Sequence, residues 1–349
     1  MDYLDYYSFR EEPFSNSHVP KFFYNSTAHS HALLKLHHAA NAMKGLAVCI
    51  GDIGTGKTTL ARMLLDKLHG SIFHSSMIVI VQANVDPTWF FKRIAFQLGI
   101  DDPSDHKSTL MNQIYTRLFE LHDLGKKPIV IIDEAQMLRT KEIMEEIRGI
   151  LNLEVPGKRL ITFILFALPD LERYLRLDPP LAQRVAMKFN LSSLDINSTH
   201  EYIKLRLDKA GGYENLFTSK AMDYVYKYSK GTPRLINIIC DNALVEGSLF
   251  KARFIEEDII ANVAQELSFS IDASADYTKQ KEDYRNNPHT FIDTNDSLED
   301  KILERIKRRI ANKIANSKKS YTSYQEPRER KSRRPDFDDL DIDDIISKL

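Results

Sequence analysis

The run Gly51-Asp52-Ile53-Gly54-Thr55-Gly56-Lys57-Thr58-Thr59 constrains this chain more than any other stretch. A short apolar segment, Leu46 to Ile50, precedes it, and a helical pattern, Leu60 to Leu68, follows. The spacing is G-x-x-x-x-G-K-T, which calls for a strand, a glycine-rich turn and a helix in that order. Glycines at 51, 54 and 56 let the backbone wrap tightly and turn its N–H groups inward. The helix opening near Lys57 points its positive end at the same spot. The pattern therefore predicts a cradle for the phosphates of a nucleotide. Lys57 is expected to reach the β- and γ-phosphates, and the Thr58 hydroxyl to ligate Mg2+.

A second motif completes that chemistry. Ile129-Val130-Ile131-Ile132 is an apolar strand ending in Asp133 and Glu134. Asp133 at the strand tip is suited to hold Mg2+ through its water shell, and Glu134 to polarise a water toward the γ-phosphate. Alone this pattern is weak. Paired with the phosphate loop, it predicts ATP binding and hydrolysis with Mg2+.

Three further residues are candidates with competing readings. Asn84 follows the second apolar run. It either hydrogen-bonds Glu134 and holds it away from water until a partner arrives, or turns the chain before Asp86-Pro87. Arg184, just before the fifth strand, either crosses to a neighbour's γ-phosphate or is solvated at the surface. Its permanent charge and forked donors suit the first role. Gly231-Thr232-Pro233-Arg234 opens a helix, because proline is favoured at the first helical position. Arg234 then senses the γ-phosphate from a lid, or simply meets solvent.

The remaining organisation follows from periodicity. Residues 1–45 form an N-terminal segment rich in aromatics (Tyr3, Tyr6, Tyr7, Phe9, Phe14, Phe22, Phe23, Tyr24) with an amphipathic helix over Ser26–Met43. The aromatics either close the edge of a core or pack around an adenine ring, and both uses need the same side chains. Residues 46–191 alternate strands (46–50, 77–82, 129–133, 161–167 and 186–191) with helices. This predicts an α/β fold, a parallel five-stranded sheet covered on both faces in a three-layer α/β/α arrangement. Functional groups belong at the carboxyl ends of such strands. Residues 192–267 read as a small all-helical lid of four helices (197–210, 218–229, 233–249 and 256–267).

Residues 268–349 read as a mostly disordered charged tail. A basic amphipathic helix is expected over 298–316, and residues 301–334 hold 13 Lys/Arg against 3 Asp/Glu. The last stretch, 335–349, is acidic with interspersed Phe and Ile. Such a tail is a solvated spacer, or it meets an anionic membrane surface, nucleic acid or a protein. The net charge of −1 gives no global field favouring nucleic acid or membrane. The two cysteines, Cys49 and Cys240, read as small buried apolar residues in a reducing compartment. No leader and no apolar run of spanning length is evident, so the expected location is the cytoplasm.

Several motifs together resemble one family. They are Tyr3-Leu4-Asp5-Tyr6-Tyr7-Ser8-Phe9-Arg10-Glu11-Glu12-Pro13-Phe14, the phosphate loop, Asp133-Glu134-Ala135-Gln136, Ile150-Leu151-Asn152-Leu153-Glu154, Leu168-Pro169-Asp170-Leu171, Gln183-Arg184 and Gly231-Thr232-Pro233-Arg234-Leu235-Ile236-Asn237. Over about residues 3–266 the chain is similar to the ExeA/MshM-type AAA+ ATPases of general secretion. More distant kin include transposition regulators that assemble on DNA. The resemblance implies ring or filament oligomers with ATP at subunit interfaces. It also implies that Arg184 acts in trans, that Arg234 is the sensor 2 arginine, and that the protein serves type II secretion or type IV pilus assembly at the inner membrane. A DNA-binding regulator of transposition and a slow nucleotide switch are the alternatives. Two departures stand out. The family often has a polar Gly-Gln pair where this chain has Ala167-Leu168, which implies slow or partner-dependent hydrolysis. Family members also often continue into a transmembrane helix and a peptidoglycan-binding domain, and here the charged tail is expected to replace that anchor.

Overall fold

The computed structural model describes residues 2–269, apart from residues 18, 69 and 82–84. The tail after 269, with its expected helix over 298–316, and Asn84 lie outside the described residues.

In chain order, the short helix α1 (Tyr3–Tyr6) leads to α2 (Thr27–Asn41). Then come β1 (Leu46–Gly51), α3 (Lys57–Lys67), β2 (Phe73–Val79), α4 (Pro87–Gln97), α5 (Lys107–Asp123), β3 (Lys127–Asp133) and α6 (Lys141–Leu151). A small antiparallel hairpin, β4 (Glu154–Val155) with β5 (Lys158–Arg159), precedes β6 (Thr162–Ala167). The short helices α7 (Leu171–Leu175) and α8 (Pro179–Ala182) lead into β7 (Val185–Leu191). Four helices close the described chain: α9 (Ile196–Lys209), α10 (Ser219–Ser229), α11 (Pro233–Leu249) and α12 (Glu257–Glu266).

The main sheet has five parallel strands in the order β2-β3-β6-β1-β7. Three central strands are buried along their length apart from Lys127, which is why β1, β3 and β6 read as continuous apolar runs. Alternate side chains serve opposite faces. Val48, Ile50, Val130, Ile132, Phe163 and Leu165 pack under α4, α5 and α6. Ala47, Cys49, Ile129, Ile131, Ile164 and Phe166 pack under α2 and α3.

Edge strands depart from the sequence reading. The second strand was expected over 77–82, but it runs Phe73–Val79. It pairs with β3 from Phe73↔Lys127 to Val79↔Asp133. His74, Ser75 and Ser76 are polar, and an edge position with one half-exposed face tolerates them. This strand lies next to β3 and not next to β1.

The helical unit has its own core, and the N-terminal aromatics belong to it. Phe9, Phe14 and Phe22 are buried with Ile203, Leu207, Phe217, Val225, Ile239 and Leu244. Phe14 packs edge-on against Phe217 at 5.9 Å between ring centroids. Polar contacts fasten the segment down. The Arg206 guanidinium donates to the Pro13 carbonyl at 3.0 Å and to the Ser15 carbonyl at 2.9 Å. The Tyr3 hydroxyl donates to Asp241 at 2.8 Å, and Asn237 donates to Asn16 at 3.0 Å. At Gly231, φ is +72° and a β-carbon would lie 1.8 Å from the Leu194 carbonyl oxygen, so only glycine fits this crossing. Cys49 and Cys240 are free and buried, and burial pushes the Cys49 thiol up to about 12. Among the described residues no helix is long and apolar enough to cross a membrane.

Candidate nucleotide-binding site

The phosphate loop leaves the carboxyl end of β1 at Gly51 and enters α3 at Lys57. Gly54 and Gly56 hold φ of +80° and +97°, a region that L side chains rarely adopt. The loop is therefore a backbone cradle, as its spacing predicts. Asp52 and Ile53 lie at its tip, and Thr55 ties it internally, its hydroxyl donating to the Asp52 carbonyl at 2.8 Å.

Lys57 is buried, and its ammonium folds back onto the loop. It donates to the carbonyls of Gly51 at 2.9 Å and Asp52 at 2.8 Å. Burial pushes Lys57 below the usual lysine range, while the Glu134 and Asp133 carboxylates pull it the other way.

Asp133, the last residue of β3, meets Thr58 from the first turn of α3. The Thr58 hydroxyl donates to Asp133 Oδ2 at 2.7 Å. Asp133 Oδ1 is buried with no hydrogen-bond partner. A buried carboxylate oxygen with unused lone pairs beside a hydroxyl is a donor set that a hard divalent cation accepts. Burial raises the Asp133 carboxyl above the usual carboxylate range, partly offset by the Thr58 hydrogen bond.

Glu134 follows at φ +56°, an uncommon conformation for a residue other than glycine. Its carboxylate accepts an N–H from the Gln136 side-chain amide. Gln136 is buried, and its Oε1 accepts the Leu168 backbone N–H at 3.0 Å. In the sequence Gln136 stands only within Asp133-Glu134-Ala135-Gln136, and nothing there marks a role for it.

The helical unit reaches the same loop. The Arg234 backbone N–H donates to the Gly54 carbonyl at 3.3 Å. A β-carbon on Gly54 would lie 2.8 Å from Arg234 Cβ and 3.0 Å from Thr232 Cγ2. The Arg234 side chain itself is exposed. Beside the start of α3 is a cavity lined by Phe22, Phe23, Tyr24, His29, Gly56 and Thr59, closed by Leu194 and Pro233. The aromatic segment thus spans both: Phe9 and Phe14 fill the helical core, Phe22 joins that core and also lines the cavity, and Phe23 and Tyr24 face the cavity. His29 pairs with the Ser26 hydroxyl at 2.7 Å, and burial pushes it below the usual histidine range, leaving a neutral ring near pH 7.

Arg184 is not part of this assembly of groups. It immediately precedes β7, whose Val185 pairs with Leu46 and whose Leu191 pairs with Gly51. Arg184 and the phosphate loop therefore lie at opposite ends of the sheet, roughly 20 Å apart by the rise of the intervening strand.

Comparisons with known proteins agree with this architecture. Residues 41–175 match the model of an AAA domain. The chain is 34% identical over 247 residues to general secretion pathway protein A of Aeromonas hydrophila, covering 70% of this chain and 44% of that protein. It thus spans less than half the length of that curated relative. Among solved structures, the fold is similar to the Aeropyrum pernix ORC2 protein in its ADPNP–ADP complexes. The TM-score there is 0.57 at 15% identity, covering 73% of this chain and 71% of the other. It is also similar to the Aeropyrum pernix ORC1 protein in complex with DNA, with a TM-score of 0.56 at 17% identity over 74% of this chain and 70% of that one. Such identities speak for the fold alone.

Proposed function

The chain belongs to the AAA+ P-loop NTPases related to general secretion pathway protein A, and we propose that it binds ATP with Mg2+ and hydrolyses it at subunit interfaces of a ring or filament. In this reading the turnover drives or regulates assembly of a type II secretion or type IV pilus system at the cytoplasmic side of the inner membrane.

The observation that carries the reading is the meeting of Lys57, Thr58, Asp133 and Glu134 at one end of the sheet, from two strands that β6 separates. The loop N–H groups and the start of α3 receive the phosphates. Lys57 exchanges the Gly51 and Asp52 carbonyls for phosphate oxygens, which regain the partners its burial demands. Thr58 and Asp133 hold Mg2+, with Asp133 Oδ1 supplying the unused lone pairs. Bound there, the metal neutralises charge on the phosphates. The Glu134 carboxylate orients the attacking water and takes its proton. The cavity beside Gly56 receives the adenine between Phe22–Tyr24 and the lid.

Arg234 enters with the lid, whose backbone already touches Gly54. Arg184 acts on a neighbour, since its own chain's loop lies at the far end of the sheet. Single-turnover release of phosphate from ATP with Mg2+ tests the reading. Release that disappears in Glu134→Gln supports it, and no release from the wild-type protein at any concentration contradicts it. A second reading, a slow nucleotide switch, draws on Leu168: the end of β6 offers only a backbone N–H, and Gln136 uses it. One turnover without a second separates that switch from an ATPase.

A further inference from the structure

Gln136 sits where two requirements cross. Its Oε1 accepts the Leu168 N–H at 3.0 Å, and its Nε2 donates to Glu134 Oε2. An amide presents one acceptor and one donor group, and neither partner allows the reverse orientation. The Leu168 N–H pairs only with oxygen, and an ionised carboxylate pairs only with a donor. The side chain is buried, with 4% of its surface exposed, so its amide has little bulk water to pair with instead. Glu134 needs such a support. Its backbone is in the left-handed region at φ +56°, outside the regular strand, and its partly exposed side chain has rotamers to choose from.

From this geometry we propose that Gln136 is the positioning residue of the hydrolytic step. It aims the Glu134 carboxylate by anchoring it to the end of β6. The inference rests on the reading of Glu134 as the water-polarising base. It adds a route by which the sheet is connected to that base: β6 ends at Ala167, and the chain continues from Leu168 through α7 and α8 to Arg184.

Two substitutions separate the two bonds. Gln136→Met removes both. Gln136→Glu keeps an acceptor for the Leu168 N–H and, once ionised, has no donor for Glu134; it is assayed at alkaline pH, where a proton shared between the two carboxyls is lost. Full-length protein is compared for kcat and KM with ATP and Mg2+, and for hydrogen exchange at the Leu168 amide without nucleotide. The expected result is a fall in kcat of about tenfold or more in both variants, with KM within about twofold. Leu168 exchange is expected to speed up in Gln136→Met and to stay protected in Gln136→Glu. In the Glu134→Gln background, Gln136→Met is expected to change residual turnover less than twofold, because a residue acting through Glu134 has nothing left to position. Three outcomes overturn the inference while leaving the ATPase reading in place: an unchanged or raised kcat in Gln136→Glu, an equal loss in both backgrounds, or unaltered Leu168 exchange in Gln136→Met. A wild-type protein that releases no phosphate overturns both.

Discussion

The Thr58 hydroxyl lies 2.7 Å from Asp133 Oδ2, although 75 positions separate the two in the chain. One residue opens the helix after β1 and the other ends β3, with β6 lying between those strands in the sheet. The bond satisfies one carboxylate oxygen and leaves Oδ1 buried without a partner. Without nucleotide, then, Asp133 is a cost to the fold that the Thr58 hydrogen bond offsets only in part.

That cost has a measurable sign. Burial raises the Asp133 carboxyl above its ordinary range, so the folded protein disfavours the ionised form. Asp133→Asn is therefore expected to raise the melting temperature without nucleotide at neutral pH, by a few degrees if the effect is about 1 kcal/mol. The gain is full above the raised folded pKa. It disappears as pH falls below the ordinary aspartate value, where the wild-type carboxyl is protonated folded and unfolded alike. The same variant is expected to lose most of the thermal shift given by ATP with Mg2+. Melting curves from pH 3.5 to 8, with and without nucleotide, check both halves.

Lys57→Met tests the cradle. Burial disfavours the charged ammonium, and its present partners are two loop carbonyls. Replacing it with an apolar side chain of similar length is expected to leave the fold intact and to weaken ATP about 100-fold, the loss of one buried charged contact of about 2–3 kcal/mol. Calorimetric titration measures it.

Arg184→Ala is expected to bind ATP like the wild type and to release little phosphate. Mixing it with Glu134→Gln distinguishes action in trans. Each variant alone is nearly inactive. A mixed assembly contains interfaces with an intact Glu134 on one side and an intact Arg184 on the other. Recovery of turnover on mixing is expected, and its absence counts against a shared site.

Phe14→Ala probes the union of the N-terminal segment and the helical unit. Phe14 is 2% exposed and packs on Phe217. Truncation is expected to cost about 3–5 kcal/mol, seen by chemical denaturation as unfolding of the helical unit at lower denaturant.

Much of this architecture was legible in the chain, and the reasons differ by element. β1, β3 and β6 read clearly because burial on both faces leaves an unbroken apolar run. The start of β2 did not, since His74, Ser75 and Ser76 carry no strand signal and are set by pairing with β3. The β4–β5 hairpin turns at Pro156-Gly157, where Gly157 holds φ +78°. That dipeptide is a turn signal, but its strands are two residues each, too short to show a period. α9 starts at Ile196, one residue before the helix expected over 197–210, because Asp195 caps it by accepting the Ser198 N–H at 2.7 Å. The aromatic-rich opening announced a core without saying which one, because hydrophobicity does not encode an address. Phe14 finds Phe217 only through the tertiary fold. Gln136 was hidden for the same reason: its partner Leu168 is 32 residues away and contributes a backbone group, which no side-chain pattern reveals.

The most direct test of the central claim is the affinity of the purified protein for ATP with and without magnesium. A backbone cradle, Lys57, Thr58 and Asp133 acting as one site predict a dissociation constant in the micromolar range with Mg2+, weakened about tenfold or more by chelation and by Asp133→Asn. No binding at millimolar ATP with Mg2+ present, or an affinity indifferent to both the metal and Asp133, would contradict it.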